Sequence, residues 1–273
     1  MSPLRLGAAL RTEHLPMHLT WLLDGQRDLE IQEAIGWDVL DGDWQAHARR
    51  LRTLLEGHTG RRGVHGPFID LTISARDPLI RAAVQTRLRQ GLDFAAAVGG
   101  THMVIHSPFS FMGNAYLPTS APDFGRADFI ENVRETLAPV IAQAEQQGCT
   151  LVIENIRDRL PGLLLALVRA LDSDAVRMSL DTGHAYLHHI TQGAPPVDYW
   201  VREAGPLLAH VHLQDNDAYT DRHWTPGDGN IPWRSVMQTL AALPEQPRLI
   251  LELADSTEIP RAAAFFVEAG WAV

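Results

Sequence analysis

Eight short β-rich runs, spread evenly along the chain and separated by stretches long enough for helices, set the tightest limit on how this sequence can fold. The runs are LRLGAAL (4–10), DLEIQEA (28–34), RGVHGPF (62–68), THMVIHSP (101–108), TLVIENI (150–156), VRMSLDTGH (176–184), LLAHVHLQD (207–215) and RLILELA (248–254). Between them, apolar residues recur at helical spacing over 78–98, 126–147, 161–172 and 232–243, and a last helix over 258–269 stops at Gly270. Alternating strands and helices bury a parallel sheet. Eight such units in 273 residues, with no break in composition, predict a single (β/α)₈ TIM barrel occupying residues 1–273, a fold that takes about 250 residues. The rival is a doubly wound open sheet. It calls for a glycine-rich turn after the first strand, and Gly7 stands alone there.

Composition narrows the functions open to such a chain. The formal net charge is −10, which disfavours wrapping a polyanion through bulk electrostatics. All 23 basic residues are arginine, so lysine Schiff-base chemistry is excluded. A lone Cys149 rules out an internal disulfide and a four-cysteine zinc site, and suits a reducing compartment. The N-terminus lacks a signal-like apolar core, and no apolar run reaches the ~20 residues that span a bilayer. A soluble, cytoplasmic protein is the expectation.

The polar residues at the ends of the strand runs carry the chemistry. His65, His106, Glu154, Asp181, His212 and Glu252 close the third to eighth runs in turn. Strand alternation puts Glu154 on the face of Val152 and Ile156, and Glu252 on the face of Ile250 and Ala254. Their neighbours Leu151, Ile153, Leu249 and Leu251 must pack under the helices, so both glutamates point into the barrel mouth. Unpartnered buried carboxylates are too costly to persist. With no lysine in the chain and no arginine at the strand ends, a divalent cation is the economical partner. Single strand histidines are more often packing residues than ligands. On that basis His210 reads as core lying deeper than His212, His102 as structural near the opposite end, and His188 as a rim or surface residue; His14 and His18 are weak substrate contacts. Asp70 and Asp215 read as loop-bracing acids. The polar stretch 215–233 after the seventh run carries Asp221 and His223 two positions apart, with Gly227-Asp228-Gly229 as its turn. The segment 113–125 reads as a lid or a simple connection.

The series VHGPF, VIHSPF, VIEN, LDTGHA, HVHLQDN, DRHWTPGDGNI and LILEL resembles the xylose-isomerase-like TIM barrels. That superfamily includes sugar phosphate isomerases and epimerases, ketose 3-epimerases, dehydratases and endonuclease IV. Resemblance to the ketose epimerases implies one divalent metal held by Glu154, Asp181, His212 and Glu252, with the two glutamates also acting as acid and base. Resemblance to endonuclease IV implies a three-zinc site, adding His65, His106, His184, Asp221 and His223. All nine residues are present.

Two chemistries follow. One metal chelating a carbonyl and its neighbouring hydroxyl supports proton transfer at carbon, hence epimerisation or isomerisation of a sugar or sugar phosphate, or dehydration if a β-hydroxyl leaves. Two or three metals support hydrolysis of a phosphodiester, the runner-up. Against it, Arg49, Arg50, Arg52, Arg61 and Arg62 lie toward the wrong end of the barrel for DNA. A catalytically dead barrel is disfavoured by the complete ligand set. Mn²⁺, Zn²⁺, Fe²⁺ or Co²⁺, one to three per chain, suits mixed imidazole and carboxylate donors. Arg157, Arg159 and Arg222 are expected on the catalytic face, where they hold a substrate phosphate or carboxylate or pair with Asp158 or Asp221. Phe68, Phe109, Trp224 and Trp233 are candidate walls, with packing favoured for Trp233. The implied partner is a small sugar; nucleic acid is disfavoured, no membrane is expected, and a homo-oligomer stays open.

Overall fold

The computed structural model describes residues 4–110 and 126–273; the 113–125 segment lies outside them. The eight strands are β1 (Leu6–Leu10), β2 (Leu29–Ile31), β3 (Arg62–His65), β4 (His102–His106), β5 (Thr150–Glu154), β6 (Val176–Asp181), β7 (Leu208–Leu213) and β8 (Arg248–Leu251). They pair in sequence order and all in parallel, and β1 pairs with β8 to close the barrel. Closure leaves no sheet edge, and every strand is covered on both faces.

Around the barrel run α1 (Leu15–Gly25), α2 (Trp37–Asp41), α3 (Trp44–Leu54), α4 (Pro78–Ala97), α5 (Arg126–Gln147), α6 (Pro161–Ala170), α7 (Thr182–Gln192), α8 (Val197–Ala204), α9 (Trp233–Ala241) and α10 (Ile259–Glu268). The outward strand residues, such as Leu151, Ile153, Leu249 and Leu251, are buried against them. Helix starts follow local chemistry. Asp77 caps α4 by accepting from the amides of Leu79 and Ile80, with Pro78 at the first position.

The strand runs end earlier than their hydropathy suggests. The sixth stops at Asp181, not His184, because the Asp181 carboxylate accepts the His184 amide at 2.7 Å and starts α7 there. His184 therefore sits in the first turn of a helix. The second run is only three residues long, and the eighth ends just before Glu252.

Inside the barrel, the N-terminal end is plugged by charge. Arg248 is buried and donates to the Arg62 carbonyl (2.6 Å) and the Thr101 hydroxyl (2.5 Å). Asp28 accepts both guanidinium arms of Arg61. Of the arginines expected at the wrong end of the barrel, Arg61 is thus spent on Asp28. The C-terminal end is left to the histidines and carboxylates.

Candidate metal centre

Strand register brings the mouth together. His106 is level with Glu154 across β4 and β5, and Asp181 with His212 across β6 and β7. Inward-facing alternation then aims these side chains at one point. His212 Nδ1 lies 3.2 Å from Glu154 Oε1 and 3.3 Å from Glu252 Oε2. One donor atom each from Glu154, Asp181, His212 and Glu252 falls within 4.8 Å of the other three.

A second cluster joins it at the rim. His184 Nε2 and His223 Nε2 lie 3.0 and 3.2 Å from the same Asp221 oxygen, while His184 Nδ1 is 3.7 Å from Glu154 Oε1. On the other side His65 and His106 approach Glu154 Oε2 at 3.7 and 3.8 Å. All nine residues implied by the resemblance thus lie in or beside one mouth.

The loop carrying Asp221 and His223 is built from its base. Asp215 is fully buried, and its carboxylate accepts the amides of Asn216, Gly227 and Ile231 and the indole N–H of Trp233. A bridge between Asp215 and Trp224 pins the two ends of the segment between them. Gly227, with φ 97°, makes the return turn expected of it. His223 sits in the left-handed region at φ 48°, an uncommon conformation for a side chain-bearing residue. It is held there by the Ala254 amide on its carbonyl (2.9 Å) and by its ring against the Glu252 carbonyl.

Supporting residues that hydropathy did not reveal complete the site. Gln214 donates through Nε2 to Asp181 (3.1 Å) and Asp221 (2.9 Å), linking the two clusters. Gly183 makes room for it: a Cβ there would meet the Gln214 amide carbon at 2.1 Å. Gln32 donates to Glu252 at 2.9 Å. Asn155 accepts the Asp181 amide and donates to its carbonyl, locking β5 to β6. Glu30, read only as part of a strand, is buried against His210 and His212. Its signal was present: β2 is covered on both faces, so a glutamate between Leu29 and Ile31 has no solvent side to occupy.

Other expected residues fall into place differently. Phe68 stacks on His106 at 4.0 Å, whereas Phe109 pairs with Phe129 at 5.2 Å. Arg222 pairs with Asp217, not Asp158 or Asp221, and lies over the Trp224 ring at 5.0 Å. Asp158 is buried, accepting the Ser107 hydroxyl and the Ile156 amide; burial pushes it up to about 7. Arg159 donates to the Gln192 carbonyl, and Arg157 is exposed. His188, expected at the rim or surface, is buried with Nε2 against the Ile156 carbonyl. His18 is buried too, leaving His14 as the exposed member of that pair.

The electrostatics are those of a site crowded with carboxylates. Burial opposes charge on His212, yet Glu252, Glu30 and Glu154 outweigh it and lift its pKa well above the ordinary value. Glu154 is held well below the carboxylate range, because His212 and His65 overcome its burial. Burial pushes Asp181 up to about 6 against the charge of His184. His223 is raised to about 9 by its bond to Asp221 and by Glu252, again against burial. By contrast, burial drives His106 down to about 3 despite Glu154.

A divalent cation fits this donor set. Glu154 Oε2 and Asp181 Oδ2 are buried without a hydrogen-bond partner, a costly arrangement for carboxylate oxygens. Two carboxylates within hydrogen-bond distance of one imidazole nitrogen need a cation or a proton between them.

A closed eight-stranded parallel barrel with a metal-competent mouth at the C-terminal ends of its strands defines the class: an enzyme-type TIM barrel. The chain belongs to the xylose isomerase-like TIM-barrel family, whose profile matches residues 30–271. An uncharacterized protein of Methanocaldococcus jannaschii is 25% identical over 185 residues, 65% of this chain, and the chain spans 59% of that protein's length. The D-psicose 3-epimerase of Ruminiclostridium cellulolyticum is 24% identical over 246 residues, covering 85% of this chain and 79% of the epimerase. In three dimensions, a D-tagatose 3-epimerase-like protein superimposes with a TM-score of 0.77 at 20% identity, over 97% of this chain and 96% of that one. Sugar epimerases are thus among its relatives. Among the described residues no helix is long and apolar enough to cross a membrane.

Proposed function

We propose that this chain is a divalent-metal-dependent sugar epimerase or isomerase that moves a proton at the carbon beside a carbonyl. The observation that carries the reading is the placement of Glu154 and Glu252, from β5 and the end of β8, within 3.2 and 3.3 Å of the same His212 nitrogen. The kinship with a D-psicose 3-epimerase supports it. Glu154, Asp181, His212 and Glu252 would hold the cation. When bound, the cation supplies Lewis-acid polarisation of the carbonyl and so acidifies the neighbouring C–H.

The chain's own residues do the rest. Glu154 and Glu252 are the acid–base pair, one removing the carbon-bound proton and the other returning one from the opposite face. Gln32 orients Glu252, and the His65 and His106 rings, with Phe68 stacked on the latter, wall Glu154 off from water. Arg222 is engaged by Asp217, so a phosphate on the substrate would fall to Arg157. Trp224, 36% exposed, offers a face for the sugar at the rim.

The test is proton exchange. With Mn²⁺ and a panel of ketoses in D₂O, the wild-type protein should incorporate deuterium at the carbon beside the carbonyl. Glu154→Gln and Glu252→Gln should each lose it by about 10²–10⁴-fold. A second reading is favoured by the His184, Asp221 and His223 cluster, which provides a further cation position. With two or three cations the same mouth suits phosphodiester hydrolysis. Cleavage of an abasic-site duplex, lost in Glu154→Gln, with no deuterium entering any ketose, would replace the first reading by the second.

A further inference from the structure

Glu30, on β2, is 2% exposed and touches one of the nine candidate ligands, His212, together with His210. Its Oε1 and Oε2 lie 3.1 and 3.2 Å from Nε2 of His212, and Oε2 lies 3.1 Å from Nε2 of His210. His210 is pinned in turn, with its Nδ1 2.8 Å from the Ser179 hydroxyl. An ionised carboxylate only accepts, so both Nε2 atoms must carry hydrogen, and the Ser179 hydroxyl must donate to His210 Nδ1. One assignment satisfies every group in the series Ser179, His210, Glu30, His212. With a cation in place of a second ring proton, it leaves the lone pair of His212 on Nδ1, the nitrogen that faces Glu154 and Glu252.

We propose that Glu30 is a positioning residue: it holds His212 as the Nε2–H tautomer, with Nδ1 presented to the cation, and thereby sets the affinity of the centre. A ring nitrogen backed by a carboxylate is both oriented and made more basic toward a metal on its other nitrogen. The inference rests on the metal-centre reading above. Glu30, His210 and His212 also lie close enough to hold an ion themselves. The 3.1–3.2 Å separations are those of N–H···O bonds instead.

The experiment compares the full-length wild-type protein with Glu30→Gln, which keeps shape but removes charge. Mn²⁺ affinity is measured by chelator competition, and ring ¹⁵N spectra are recorded on histidine-labelled protein loaded with Zn²⁺. The Mn²⁺ dissociation constant should rise about 10–100-fold in the variant. The wild-type His212 ring should show a metal-bound Nδ1 and a protonated Nε2. An affinity within two-fold of wild type overturns the proposal. So does a His212 ring bound through Nε2, or through both nitrogens as a cation beside Glu30 would require. Should Glu30→Gln fail to fold, the wild-type spectrum alone decides. Failure of the underlying reading would show elsewhere, as a wild-type protein that binds neither Mn²⁺ nor Zn²⁺.

Discussion

Gly183→Ala is a small change with a large expected effect, and its size follows from the contacts around α7. The glycine is the second residue of that helix and has no positive φ, so the backbone accepts alanine and the helix gains about 1 kcal/mol of propensity. The obstacle is Gln214, whose amide carbon and nitrogen would both lie 2.1 Å from the new Cβ. Non-bonded carbons rest about 3.5–4 Å apart, so the amide must withdraw by more than an ångström. It then loses its bonds to Asp181 and Asp221, each worth about 1.5–3 kcal/mol as bonds to charged groups. The Asp221 bond is discounted because that side chain is part-exposed. A net loss of about 2–4 kcal/mol is expected, read by urea denaturation in the presence of chelator. Gln214→Ala loses the same bonds but opens the space, so in that background Gly183→Ala should be neutral or slightly stabilising. The cycle should therefore show a coupling of about 2 kcal/mol or more. Additivity within about 0.5 kcal/mol would mean that Gly183 is not there to admit Gln214, and the reasoning would fail.

Asp215→Ala should cost about 2–4 kcal/mol, because three amides and an indole lose a shared acceptor; limited proteolysis should then cut within 216–231, and an uncut loop would contradict it. His102, which burial lowers to about 2, binds its proton only in the unfolded chain between its ordinary value near 6.5 and about 2. Its contribution to stability is therefore present above that range and lost as pH falls. Between pH 7 and 5, wild type should lose about 2 kcal/mol more than His102→Gln; parallel losses would refute the assignment. Chelator should lower the melting temperature, since a cation at 100 times its dissociation constant contributes about 2.7 kcal/mol; an unchanged melting curve on re-adding Mn²⁺ or Zn²⁺ would count against the centre.

Much of this barrel is legible in the sequence because parallel strands covered on both faces leave few places for polar groups. Glu154 and Glu252 could be aimed inward from alternation alone, and His210 read as deeper than His212. What escaped depended on contacts between distant segments. Glu30 sits in a run whose alternation looks like that of a half-solvated strand; the predicted closed barrel already implies that both its faces are dry, but its partners His210 and His212 come from the far side of the barrel. Gln214 and Asn155 are ordinary amides until Asp181 is placed beside them. The end of β6 was missed because an aspartate that caps a helix and one that ends a strand look the same until the His184 amide is seen to bond it. Arg222 found Asp217 because the loop folds back on itself, a turn that no periodicity announces.

The bond from Gln32 to Glu252 joins residues 220 apart in the chain, and that from Glu30 to His212 spans 182. Both tie β2 to the last quarter of the barrel, beyond the seam where β1 meets β8. Such long-range contacts form only after the chain has paid its largest loop-closure entropy. Sealing of the barrel and completion of the support behind Glu252 and His212 are thus one step. A half-barrel running from β5 to Glu252 would carry Glu154, Asp181, His212 and Glu252 without Gln32 and Glu30 behind them, so cation affinity should reach its full value only when the barrel seals.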